Sequence, residues 1–206
     1  PVHAGIIEPG HFLFSVAGEP ILYLQIRLFY THKGTEKLFE NMPVTHGVRL
    51  AESISVDSSF AHATAFCHAF ERAAQADVPP RARALRTVCL ELERIYNHIA
   101  DIGAIATDVA FVVANAHAMR LKERVLRLNE ELTGNRLLRG MACIGGVRFD
   151  WNAEQAGAIS RLLDELRPEF DSLVELIQAS ASTRDRLEGT GILTSETADD
   201  LGVVGL

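Results

Sequence analysis

Cysteine is scarce in this chain: three among 206 residues, at Cys67, Cys89 and Cys143. An odd number of widely separated thiols builds neither a disulfide framework nor the paired spacing of a thiolate metal site. Positive charge is also short, with 20 Lys and Arg against 27 Asp and Glu and a formal net charge of −7. That balance excludes a phosphate-tracking surface, and with it nucleic acid as a partner. No run approaches the roughly 18 uninterrupted apolar residues of a membrane span, and the start has neither a basic n-region nor an apolar h-region. A chain without a direct span, in a reducing cytoplasm, is expected. GxGxxG after a strand, GxxxxGK[ST], HExxH and GxSxG are all missing, which removes the usual signals for a dinucleotide fold, a P-loop, a zincin and an α/β-hydrolase.

What is present is ordinary for a globular protein: 48% apolar and 23% charged residues. The length suffices for a full core, and one domain over 1–206 is expected, β-rich over 1–34 and mainly helical over 35–206. The chain opens on Pro1 and stops just after the apolar Val203-Val204, so it reads as the N-terminal portion of a longer chain.

Between 11 and 30, two runs rich in aromatic and branched residues flank Ala17-Gly18-Glu19-Pro20, the pattern of a hairpin. A short helix is predicted from Thr35, with Glu36 in its first turn. The Ala-, Phe- and His-rich stretch over 48–76 reads as one buried helix or two, broken by Pro79-Pro80. After Pro80, apolar residues from Leu85 to Ile102 recur at steps of three and four, the mark of an amphipathic helix. A further helix is predicted over 114–132, stopping at Thr133-Gly134-Asn135. The glycine-punctuated 140–150 stretch should be a loop with strand character. A last long helix runs from Asn152 to about Ser182, and Ser195-Glu196-Thr197 opens a short one. The fold class is therefore α+β and predominantly helical, a small N-terminal antiparallel sheet packed on a bundle of long helices.

Of the eight histidines, His62, His68 and His98 lie on predicted helices, where a lone histidine is ordinarily structural. Near the start, His3, Glu8 and His11 put a carboxylate among imidazoles in a turn-rich segment. Such groups relay protons, and they equally cap a turn and face water.

The ordered segments Glu8-Pro9-Gly10-His11-Phe12, Arg27-Leu28-Phe29-Tyr30, His32-Lys33-Gly34, Ser59-Phe60-Ala61-His62, Pro79-Pro80-Arg81-Ala82, Glu91-Leu92-Glu93-Arg94, Asn97-His98 and Gly145-Gly146-Val147-Arg148 span the whole chain. Together they closely resemble the large subunits of group 4 nickel-iron hydrogenases. The formate hydrogenlyase large subunit looks nearest, and the 49 kDa subunit of respiratory complex I is a more distant relative. The resemblance implies a hydrogenase large-subunit-like fold. It also places an Arg-x-Cys-Gly-x-Cys motif, whose thiolates help hold nickel and iron, where this chain has Ser53-Ile54-Ser55-Val56-Asp57-Ser58. Ser55 and Ser58 thus stand in for the cysteines, and a neutral hydroxyl is a poor substitute for a soft bridging thiolate. The family's second cysteine pair falls beyond Leu206. In the complex I branch, a quinone pocket uses a tyrosine aligned with Phe66 and a histidine aligned near Ile7, so both polar partners are gone here. Glu8 matches the acidic position that passes protons near the metal in hydrogenases, and His3, Asp57 and His62 line the same cavity by the resemblance.

The resemblance therefore implies a hydrogenase-like, NADH-quinone oxidoreductase 49 kDa-like large subunit in a membrane-associated electron-transfer complex, without a nickel-iron site. The alternative is a catalytically silent scaffold, and an active hydrogenase is the third reading. No cofactor is expected in this chain itself, and nothing in these residues binds NAD. An iron-sulfur cluster is expected in a partner small subunit, with membrane subunits completing a complex I-like assembly. The chain would sit in the cytoplasm, peripheral on the inner face of the cell membrane.

Overall fold

A computed structural model describes residues 9–203. In chain order its elements are β1 (His11–Val16), β2 (Ile21–Arg27), α1 (Thr35–Phe39), α2 (Val44–Ala51), α3 (Ser59–Ala74), α4 (Pro80–Asp108), α5 (Val112–Thr133), β3 (Ala142–Cys143), β4 (Gly146–Val147), α6 (Ala153–Ala179), α7 (Ala181–Leu187) and α8 (Ser195–Asp200). The class read from the sequence, long helices with a small antiparallel sheet near the start, is the one adopted.

α4 and α5 form the spine. The buried residues Leu85, Cys89, Leu92, Tyr96, Ile99, Gly103 and Ala106 of α4, and Ala114, Ala118, Leu121, Val125, Leu128 and Leu132 of α5, alternate steps of four and three. Each helix therefore presents one apolar seam to the other. Each leucine taken out of water along it contributes about 1.5–3 kcal/mol. Pro80 opens α4 at a position where a missing N–H leaves nothing unpaired. The 109–111 connection, with Ala110 at φ 64°, is so short that α5 must fold back along α4. Gly103 permits the closest approach: a Cβ there would lie 2.7 Å from the Ala118 Cβ. α5 ends where expected, at Gly134 in the left-handed region (φ 76°), whose N–H bonds to Glu130 O.

α6 lies outside this pair. Its start is a capping box, with Asn152 and Gln155 each accepting the other's backbone N–H. Arg120 and Arg124 of α5 bond Glu165 and Glu169 of α6. The predicted helix to about Ser182 ends sooner, because Ser180 turns extended and its hydroxyl accepts the Thr183 N–H to start α7.

On the other side α3 packs against α2, α4 and the tiny β3–β4 hairpin, in which Ala142 pairs with Val147 and Cys143 with Gly146. A bidentate Arg86–Glu71 ion pair is buried here, the two side chains 2% and 5% exposed. Arg86 also donates to Cys143 O (2.7 Å) and Gly146 O (2.9 Å), while Gly145 N–H donates to Glu71 at 2.7 Å. The glycine-rich turn is thus bolted to two helices by one charge pair.

The β1–β2 hairpin forms with Phe12 opposite Ile26, Phe14 opposite Leu24 and Val16 opposite Ile21 across a bulge. Directly opposed residues share a face, so these six make one wholly apolar face. The sheet was expected to pack on the helices, yet neither strand holds a buried residue, and Phe14 is 51% exposed. The reason is that its apolar side chains meet no helix seam: the α4 and α5 seams are already spent on each other. No helix among the described residues is long and apolar enough to cross a membrane.

Candidate functional site

The sequence over 48–76 contains no proline, but the helix breaks there, and side chains from elsewhere hold the break open. After α2 the 52–58 segment turns, and almost every carbonyl in it meets a donor. Lys33 Nζ donates to Ser53 O (3.3 Å) and Ile54 O (3.2 Å). Ser59 Oγ, which accepts from Arg139 Nε at 3.1 Å, lies 2.9 Å from both Glu52 O and Val56 O. Asp57 O accepts from Tyr96 Oη at 2.7 Å and from Asn97 Nδ2 at 2.8 Å. The Glu52 side chain, itself buried, accepts Gly140 N–H at 2.6 Å.

α3 then begins without a cap of its own, since the Ser58 side chain makes no capping bond. Glu93 of α4 supplies one: its Oε2 accepts Phe60 N–H at 2.7 Å and its Oε1 accepts Ala61 N–H at 2.9 Å. These are two of the helix's first free N–H groups, and a carboxylate suits that end of the helix dipole. Glu93 is 3% exposed. Burial raises its carboxyl above the ordinary glutamate value, the two N–H bonds pulling against it. Burial likewise lifts the Tyr96 hydroxyl, and pushes the Cys67 thiol up to about 11 and the Cys89 thiol up to about 12. Those two cysteines are protonated packing residues, not thiolate ligands.

The segment borders a cleft of about 500 Å³ lined by Asp57, Ser58, Asn97, Asp101, Asn115 and Lys122 with small α4 residues between them. Of the residues singled out from the sequence, Asp57 and Ser58 reach this cleft. Ser55 is half-buried in the turn and His62 half-buried on the first turn of α3; neither lines the cleft. His3, Ile7 and Glu8 lie outside the described residues. Phe66 stacks on Phe39 and meets Phe70 at a tilt, with centroid distances of 5.6 and 4.7 Å, and covers Gly47 so closely that a Cβ there would meet its ring at 2.0 Å. His68 and His98 face two other clefts, one with Glu71 and one with Asp164 and Asp171.

Sequence reasoning missed Glu93, Tyr96, Glu52 and Lys33. The readable signal lay in α4, where Arg86 and Glu93, two turns apart, are charged residues on the apolar side of an otherwise regular seam.

Residues 101–206 match the model of the family described as respiratory-chain NADH dehydrogenase, 49 Kd subunit. The chain belongs to this family. Among its relatives, hydrogenase-4 component G of Escherichia coli (strain K12) is 36% identical over 98% of this chain, and formate hydrogenlyase subunit 5 of the same organism is 34% identical over all of it. NADH-quinone oxidoreductase subunit 4 of Thermus thermophilus is 31% identical over the full chain. The chain spans 36% of the first two relatives and 50% of the third. In the solved structure titled membrane-bound sulfane sulfur reductase, an archaeal respiratory membrane complex, one chain superposes with a TM-score of 0.88 at 24% identity, over 99% of this chain and 56% of that one. At that identity it carries the fold alone. The hydrogenase and 49 kDa resemblance seen in the sequence is borne out, and these relatives are subunits or components of larger complexes.

By the resemblance read in the sequence, the hydrogenase branch of the family would place a nickel-iron centre at the 52–58 segment, and the residues present there do not fit one. Its shape is held firmly, but Ser55 and Ser58 offer hydroxyls where soft thiolate donors are needed. Among the described residues no three His, Cys, Asp or Glu side chains converge as a metal site.

Proposed function

We propose that the chain serves as the large subunit of a membrane-associated electron-transfer complex, with proton movement but no nickel-iron chemistry at the 52–58 segment. The observation that carries this reading is the mismatch at that segment, where the backbone is pinned by Lys33, Ser59, Tyr96 and Asn97 around two serines. A frame kept in order without its thiolates fits a site that has changed its chemistry. Glu8, His3, Asp57 and His62 remain the proposed proton-carrying groups, with Asp57 at the cleft. The partner would be a small subunit holding an iron-sulfur cluster, with the 145–148 turn and the segment around Glu8 as contact regions. Membrane subunits would keep the assembly peripheral on the cytoplasmic face. Metal analysis of the protein purified with its partners tests this: iron from the cluster and no nickel are expected, and stoichiometric nickel sinks it. Hydrogen uptake by the intact complex would likewise revive an active hydrogenase.

A scaffold role is the second reading, favoured by the open apolar face of the β1–β2 hairpin, a surface suited to holding neighbours. Glu8→Gln separates the two. Lost turnover with normal assembly supports the proton path, and unchanged turnover supports the scaffold.

A further inference from the structure

The cap on α3 is a titratable group buried behind the backbone that borders the cleft, and its surroundings give each protonation state a hydrogen-bond pattern of its own. Tyr96 Oη has one hydrogen and two acceptors in reach: Asp57 O at 2.7 Å and Glu93 Oε2 at 3.5 Å. An ionised Glu93 competes with Asp57 O for that hydrogen while holding the N–H groups of Phe60 and Ala61. A neutral Glu93 cannot accept as strongly, and its own O–H then has Tyr96 Oη as acceptor, which commits the phenol hydrogen to Asp57 O. Asn97 Nδ2 holds Asp57 O in both states.

We propose that Glu93 is a proton-binding site that takes a proton from solvent and, through Tyr96, resets the backbone between Asp57 and Ala61 at the mouth of the cleft. The charged and titratable groups around it come from each neighbouring stretch. Burial within the fold is the main influence disfavouring the ionised form and Asp57 in the turn adds to it, while the N–H groups of Phe60 and Ala61 and the Tyr96 hydroxyl favour it. Arg139, reaching in to Ser59, is the positive charge that acts on Tyr96. The inference does not depend on which reaction the complex performs, since it concerns an equilibrium of this chain alone.

The test is a pH titration of the full chain, selectively carbon-13 labelled at glutamate carboxyls and nitrogen-15 labelled at backbone amides, monitored by NMR. One carboxyl should titrate above the ordinary glutamate range, and the amides of Phe60 and Ala61 should move with the same midpoint. Glu93→Gln removes that carboxyl signal and flattens both amide curves. Tyr96→Phe leaves the Glu93 titration in place but uncouples the Ser58 amide from it. Glu93 titrating with the exposed glutamates, or Phe60 and Ala61 amides that ignore its midpoint, would overturn the proposal. The wild-type titration decides this even where the glutamine variant fails to fold.

Discussion

Two parts of this molecule use their apolar residues in opposite ways. In the α4–α5 pair every seam residue from Leu85 to Leu132 has a partner, and charges inside the fold, Arg86 with Glu71 and Glu93 with the start of α3, are each met by specific bonds. In the β1–β2 hairpin six apolar side chains share one face and none is buried. The first region is finished within the chain, and the second leaves its apolar face open among the described residues.

Removing one half of the buried ion pair should have the largest effect. Arg86→Met strands Glu71 without its counter-charge and releases the 143–146 turn, so a loss of about 3–5 kcal/mol is expected in denaturant unfolding. The acid limb carries a second sign of the same pair. Arg86 holds Glu71 below its ordinary value of 4.5. The stability it contributes is therefore whole above that pH and falls away as pH drops through the lowered value. Wild type should lose stability in that window, and Arg86→Met should not show this loss.

Next comes the helix contact. Gly103→Val places new atoms against Ala118 and should cost about 1–3 kcal/mol, seen as a lower thermal midpoint. Tyr96→Phe removes one of two donors to Asp57 O and should cost about 1 kcal/mol, because Asn97 remains. At the other end, Phe14→Ser on the open face should change denaturant unfolding by no more than about 0.5 kcal/mol. A large destabilisation there would erase the contrast between the two regions.

The same contrast explains what could be read in advance. The α4 and α5 helices announced themselves because their seams are local patterns, each residue's neighbour lying three or four places away. The hairpin was legible from its turn, with Gly18 at φ 72° where a left-handed residue is required. The break between α2 and α3 was not, because no glycine or proline makes it: Lys33 reaches it from the hairpin side, and Tyr96, Asn97 and Glu93 from α4. Those contacts join residues distant in sequence: Glu93 can be seen to sit on the apolar side of α4, but nothing local names the Phe60 and Ala61 N–H groups it meets. Ser55 and Ser58 were located through resemblance to relatives. That Ser58 lines the cleft while Ser55 and His62 stay off it emerged only from the geometry.

The pinning of the 52–58 carbonyls has a consequence for inheritance. Because the turn takes its shape from donors on other stretches of chain, the side chains it displays can be exchanged without rebuilding it. The hydroxyls of Ser55 and Ser58 decide what the turn presents, while donors on other stretches decide how it is held. A chain built this way tolerates change in the side chains it displays while the turn itself persists.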